Sequence, residues 1–110
     1  MARIQVRAHV ARDHPWATRD RIDLAELVNQ RLVLLTHEHI TRVVLDQAVG
    51  DAGLSYAHLV ECGLPNAILA LAASGYGIGV VSDEPGVDTH PLLIVDRRTP
   101  DRPLSIGNRT

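Results

Sequence analysis

The sequence contains no lysine and no phenylalanine, and its 110 residues include one cysteine, one tryptophan and two tyrosines. Each scarcity excludes something. Cys62 alone rules out an internal disulfide framework and a multi-cysteine metal site. With only Trp16, Tyr56 and Tyr76 aromatic, no stacking platform for single-stranded nucleic acid is expected, and the core must be aliphatic. Positive charge rests on 11 arginines scattered from Arg3 to Arg109, set against 13 acidic residues for a net charge of -2. That balance lacks the basic excess or stripe of a dedicated nucleic-acid binder. The all-arginine usage points to a GC-rich genome more than to a function. No apolar run approaches the ~18 residues of a membrane span. The opening stretch Met1–His14 has no apolar segment long enough for a signal peptide, so a cytoplasmic home is expected. What is present, 45% hydrophobic and 22% charged residues, lies in the globular range, and the length suits one domain over 1–110.

The hydrophobic pattern alternates first. Ile4, Val6, Ala8 and Val10 share one face, which predicts a half-buried strand over roughly 3–11. His14-Pro15 breaks it, and 12–22 reads as loop. Asp23 can cap a short helix over 24–28. Leu32–Leu35 is a continuous apolar run, as in a strand buried on both faces. After the polar stretch 36–40, Thr41 can cap a helix running to about Ala52 with Val44, Leu45, Ala48 and Val49 on one stripe, and Gly53 can end it. Ala57–Glu61 is a strand candidate. Pro65 opens a helix to about Ser74, closed by Gly75 and apolar enough to be covered all round. Further strands are expected at Ile78–Val81, Leu92–Val95 and Leu104–Asn108, with 83–91 as loop. Alternating βα units with apolar strands define the fold class as α/β, a mostly parallel sheet with flanking helices.

Familiar catalytic spacings are not met. His37-Glu38-His39 would need a histidine at position 41 to complete a zinc-protease motif, and Thr41 stands there. Gly75-Tyr76-Gly77-Ile78-Gly79 closes a helix and enters a strand, the reverse of a dinucleotide fingerprint. Cys62 has no base marked by spacing, the serines lie in no G-x-S-x-G context, and Asp83-Glu84 reads as a solvated loop. No catalytic residue, metal ligand or cofactor is assigned. The informative feature is where two helices begin. The segments 36–40 and 62–64 fall at the carboxyl ends of parallel strands, where open α/β sheets bind ligands. Helix starts also offer unpaired N–H groups to a carboxylate or phosphate.

Taken in order, several stretches resemble the effector-binding (substrate-binding) domain of LysR-type transcriptional regulators, in its second subdomain. His14-Pro15-Trp16-Ala17 is similar to that family's HPLA element, and Ile22–Leu27 to the short helix before its apolar strand. Arg42–Asp46 through Gly53 resembles its next helix. Glu61 followed by Ala67–Gly79 resembles its glycine-closed helix and strand, and Leu104-Ser105-Ile106 its returning strand. Ser82 and Arg31 stand where the family commonly has proline. The resemblance implies one lobe of a periplasmic-binding-protein-like (type 2) fold, with 1–12 and 103–110 as crossover strands to a first subdomain. The winged helix-turn-helix lies outside the matching stretch.

The resemblance also implies a function. The chain would sense a small-molecule effector, of anionic character, in the cleft between subdomains. Thr36, His37, His39 and Thr41 would be polar contacts, Ile40 an apolar one, and Pro65 and Asn66 the other edge; Glu38 would repel an anion, so either it is turned away or the effector is not simply anionic. Self-association is expected through the helix 42–52 and the strand 57–61, or through the edge of strand 3–11. Neither direct nucleic-acid contact nor membrane association is expected. No enzymatic activity is expected either. Two alternatives remain open: a lobe of a solute-binding protein, and a small enzyme using the His37/Glu38/His39 loop.

Overall fold

One strand, β1 (Ile4–Ala11), organises the sheet, and it runs against all the others. The computed structural model describes residues 3–82 and 88–107. Within them, β1 is followed by a 3-10 turn (Pro15–Thr18), β2 (Arg21–Asp23), α1 (Leu24–Leu27), β3 (Arg31–Leu35), α2 (Ile40–Asp51), β4 (His58–Cys62), α3 (Pro65–Ala73), β5 (Ile78–Ser82), β6 (Thr89–Val95) and β7 (Ser105–Ile106). The strands form one sheet in the order β2-β6-β1-β5-β3-β4, with β7 paired to the start of β1. β3 pairs β4 and β5 in parallel, β2 pairs β6 in parallel, and β1 is antiparallel to β5, β6 and β7. Every strand but β1 therefore points the same way, and the sheet is mostly parallel, as the alternating βα pattern predicts.

The apolar run of β3 is buried on both faces because helices cover both. Leu32 and Leu34 face α1 and α2, packing with Val6, Ala8, Val10, Ile22, Ile78, Val80, Leu92 and Ile94 against Leu24, Leu27, Leu45 and Val49. Val33 and Leu35 face α3, packing with Val81 against Ile68. The core is aliphatic, and Trp16 and Tyr56 pack only at its rim. Gly79 lets α3 settle onto the sheet: a Cβ there would meet Ile68 Cγ2 at 2.6 Å. The cap of α1 is a reciprocal box. The Ala25 N–H donates to Asp23 Oδ2 at 3.0 Å and the Asp23 N–H donates to Glu26 Oε2 at 3.2 Å. Gly53 and Gly75 adopt positive φ (71° and 84°) just past α2 and α3, which glycine permits without strain.

Several expectations are corrected. The stretch 12–22 is not all loop, since it contains the 3-10 turn and the start of β2, a strand with a single buried apolar residue, Ile22, that pairing with β6 recruits. Thr41 is not the cap of α2. His39 holds that position, and it makes no side-chain cap bond. The helix α3 is packed on one side only, with Ile68 and Ala72 buried and Leu69 and Leu71 half-buried. β6 begins at Thr89, inside the expected loop, and carries Pro91. Pairing with β2 starts only at Leu93, so Pro91 removes no ladder bond on that side. Asp83-Glu84, the rest of 83–87, and Asn108 lie outside the described residues.

Candidate functional site

The loops that follow β3 and β4 leave the sheet in opposite directions. The first leads to α2 on one face and the second to α3 on the other, although β3 and β4 are neighbours paired from Arg31↔His58 to Leu35↔Cys62. This is a topological switch point, the place where open α/β sheets form a ligand crevice outside the carboxyl ends of their strands. Both helices start there without side-chain caps. The first intrahelical bond of α2 is from the Val43 N–H to His39 O, and that of α3 from the Ile68 N–H to Leu64 O. The N–H groups ahead of these, at Ile40, Thr41 and Arg42 and at Asn66 and Ala67, have no partner within their own helix.

The predicted contact residues divide by environment. Thr36 follows the end of β3, and its buried hydroxyl has no partner of good hydrogen-bond geometry among the described residues. His37 is exposed, and His39 is half-buried at the cap position of α2. Ile40 is an exposed apolar side chain at the start of α2. Thr41 is buried, and its hydroxyl shares a 2.6 Å hydrogen bond with Ser82 at the end of β5, leaving its backbone N–H as the group on offer. Pro65 and Asn66 stand at the start of α3 beside Leu64, which is 67% exposed. Glu38 is exposed. Its own backbone N–H, then the nearby Thr36 hydroxyl, hold its carboxyl below the usual carboxylate range.

Sequence reasoning missed the residue behind these loops. Arg42 is only 5% exposed. Its Nη1 donates to Leu35 O at 2.9 Å and to Glu61 Oε2 at 2.8 Å, and its Nε donates to Asp46 Oδ1 at 2.9 Å. Burial opposes its charge, but the bonds to Asp46 and Glu61 outweigh burial and raise its pKa further. Tyr56 donates to Asp46 Oδ1, and burial first, then Asp46, push its phenol upward. His37 lies over the same two carboxylates, 3.5 Å from Glu61 and 3.8 Å from Asp46, and pairs with them as an ion only when protonated. The i,i+4 spacing of Arg42 and Asp46 was the available signal. Among the described residues no group of three histidine, cysteine or acidic side chains is placed to hold a metal ion, and no helix is long and apolar enough to cross a membrane.

A mostly parallel sheet with helices on both faces and two open helix starts at a switch point is the architecture of a ligand-binding α/β lobe. The chain belongs to the LysR substrate binding domain family, whose profile matches residues 1–105. An uncharacterized HTH-type transcriptional regulator, YybE of Bacillus subtilis (strain 168), is 26% identical over 98 residues, which are 89% of this chain and 34% of that protein. The effector-binding domain of QuiR, in complex with shikimate, matches with a TM-score of 0.77 at 18% identity, over 94% of this chain and 49% of its own. The effector-binding domain of BenM with its effector benzoate matches with a TM-score of 0.71 at 18% identity, over 87% of this chain and 47% of its own. The chain thus spans about a third of that regulator and about half of each solved domain. It has the fold of one lobe of these periplasmic-binding-protein-like domains.

Proposed function

We propose that this chain is the second lobe of an effector-binding domain in a LysR-type transcriptional regulator, and that Thr36–Thr41 and Cys62–Asn66 form its wall of the effector cleft. The observation that carries the proposal is the pair of uncapped helix starts at the switch point between β3 and β4. The buried Thr36 hydroxyl supports it: it lies near the exposed Glu38 carboxylate without a hydrogen bond of good geometry, which leaves it open to a ligand or an ordered water. So does the company it keeps: related folds hold shikimate and benzoate, both small carboxylates. β1 and β7, paired antiparallel at Ile4↔Ile106 and Gln5↔Ser105, are well placed to serve as crossover strands to a first lobe. In this reading the chain is not an enzyme, works in the cytoplasm, and leaves DNA contact to a helix-turn-helix domain elsewhere in the regulator.

One wall of a cleft binds weakly. Each exposed helix start contributes ~0.3–1 kcal/mol toward an anion, whereas micromolar affinity needs about 8 kcal/mol. The carboxylates of Glu38, Asp46 and Glu61 close by work in the same weakening direction. Titration of this chain with sulfate or benzoate is therefore expected to move backbone amide resonances at 36–41, 63–64 and 66 with millimolar affinity at best. Shifts confined to 88–102, or tight binding anywhere, would place the site elsewhere.

The same reading includes pairing between copies through α2 and β4; the expected edge of strand 3–11 is not open to it, because β1 lies inside the sheet between β5 and β6. β4 is an edge strand with one side unpaired, and Val43 on α2 is 46% exposed. Unpaired edges and exposed apolar side chains are the usual routes to association. Sedimentation velocity is expected to show concentration-dependent self-association that Val43→Asp weakens. A monomer at every concentration reached would refute this surface.

A further inference from the structure

We infer that Arg42 is a positioning residue: it ties the two cleft loops into one rigid unit, so that a ligand reaching either loop meets both at a fixed spacing. This rests on the proposal that those loops form the effector wall. The geometry behind it involves three elements. Leu35, whose carbonyl accepts from Arg42 Nη1, is the last residue before the loop 36–39. Glu61, whose carboxylate accepts from the same Nη1, lies in β4 just ahead of the turn at Gly63-Leu64. Asp46, one turn further along α2, accepts from Nε and is itself held by the Tyr56 hydroxyl. The guanidinium also lies 5.9 Å from the centre of the Tyr56 ring.

Only arginine suits this position. Its planar fork presents donors in fixed, divergent directions, whereas a lysine ammonium is a single point on a flexible stem. Both protons of Nη1 are used, one for each loop, so the two loop roots are referred to one atom. The β3–β4 ladder already pairs Leu35 with Cys62 through backbone bonds. It fixes the strands but not the chain beyond them, where the loops part toward opposite faces. The bonds from Arg42 lie at that parting. Because Arg42 belongs to the first turns of α2, the open helix start is fixed relative to both loop roots by the same side chain.

Amide hydrogen exchange and backbone order parameters of the whole chain test this, read by NMR for wild type, Arg42→Met, Arg42→Lys and Glu61→Ala. Arg42→Met is expected to speed exchange by about tenfold or more at His39, whose N–H donates to Thr36 O, the effect of losing a hydrogen bond to a charged group, and to lower the backbone order parameters at 37–38 and 63–64 together. The ladder amides between β1 and β5 should keep their protection. Glu61→Ala retains the bonds to Leu35 and Asp46, so it remains informative if Arg42→Met does not fold. It should loosen 63–64 and, through the shared Nη1, also move the resonances of Thr36 and His37. Arg42→Lys should restore global stability more fully than it restores loop protection. If Glu61→Ala disturbs only its own turn, or if loops and ladder lose protection by the same factor, Arg42 is a structural residue and the inference is overturned. A parallel benzoate titration of the wild type separates the two proposals. Absence of loop shifts there removes the effector reading, while the exchange pattern still decides the role of Arg42.

Discussion

The chain is expected to lose about 3 kcal/mol of folding stability as the pH falls from 6.5 to 4, and His9 is the main cause. His9 is 1% exposed and sits in β1 beside Gly79, on the face that α3 covers. Its Nδ1 shares a 2.9 Å hydrogen bond with Thr89 Oγ1 in β6. Burial, with the charges of Arg7 and His90 adding to it, lowers its pKa from 6.5 to about 4. About one pH unit above 6.5 and beyond, the imidazole is neutral in both the folded and the unfolded chain and contributes no slope. Below 6.5 the unfolded chain takes up the proton and the folded chain does not, so stability falls until the folded pKa is reached. The stability present at neutral pH is lost with acid because a depressed folded pKa favours the unfolded, proton-binding state. His14, also lowered by burial, adds to the slope in the same direction. Urea titrations at half-unit pH steps, on wild type and His9→Gln, provide the check. Glutamine can still bond Thr89 but cannot titrate, so most of the slope should vanish. Equal slopes in the two proteins would be decisive against the assignment, as would an NMR titration placing His9 near 6.5.

A second large effect is expected where α3 meets the sheet. Ile68 is fully buried, and its truncation to alanine should cost ~2–5 kcal/mol through lost burial and the cavity left behind. Gly79→Ala should by itself cost ~1–3 kcal/mol, because the new methyl is forced against Ile68 Cγ2 and lies 3.3 Å from the Ile68 carbonyl. The two changes meet in one space. In the Ile68→Ala background the extra methyl at 79 fills part of the cavity, so the double variant should be more stable than the sum of the single losses predicts. Residues in contact commonly couple by ~0.5–3 kcal/mol. Denaturant midpoints at constant m-value measure the cycle. Additive losses would mean that α3 shifts away as a unit and that Gly79 does not set its distance from the sheet.

The legible parts of the fold were those fixed by local chemistry. Gly53 and Gly75 end helices at positive φ, and Pro65 begins one. Leu32–Leu35 implies cover on both faces of its strand before any helix is placed, because successive side chains of a strand point to opposite faces and all four are apolar. The parts that stayed hidden depend on distant partners. Arg21-Ile22-Asp23 is a strand only because β6 lies beside it, and Pro91 sits in a strand because its far side has no neighbour at that level. The candidate site was legible only as two helix starts, since strand–loop–helix order alone puts them at the carboxyl edge of a parallel sheet. That Thr41 would turn its hydroxyl to Ser82 was not, because the pair is distant in sequence and meets only when β5 lies beside β3. Arg42 was hidden for a related reason. A charged side chain on a helix is by default placed in water, and only the meeting of Leu35, Asp46 and Glu61 makes its burial possible.

The reversed central strand has a consequence for synthesis on the ribosome. β1 leaves the ribosome before its sheet neighbours, and Ala8 waits for Val80 on one side and Leu92 on the other. At about 5–20 residues per second, that interval is on the order of 4–16 seconds. During it β3, β4 and α2 can assemble, since their pairings are local, while Val6, Ala8 and Val10 remain a nascent apolar segment without a sheet to enter. Insertion of β1 between β5 and β6 then comes late in folding, because both neighbours follow it by about 70 residues or more.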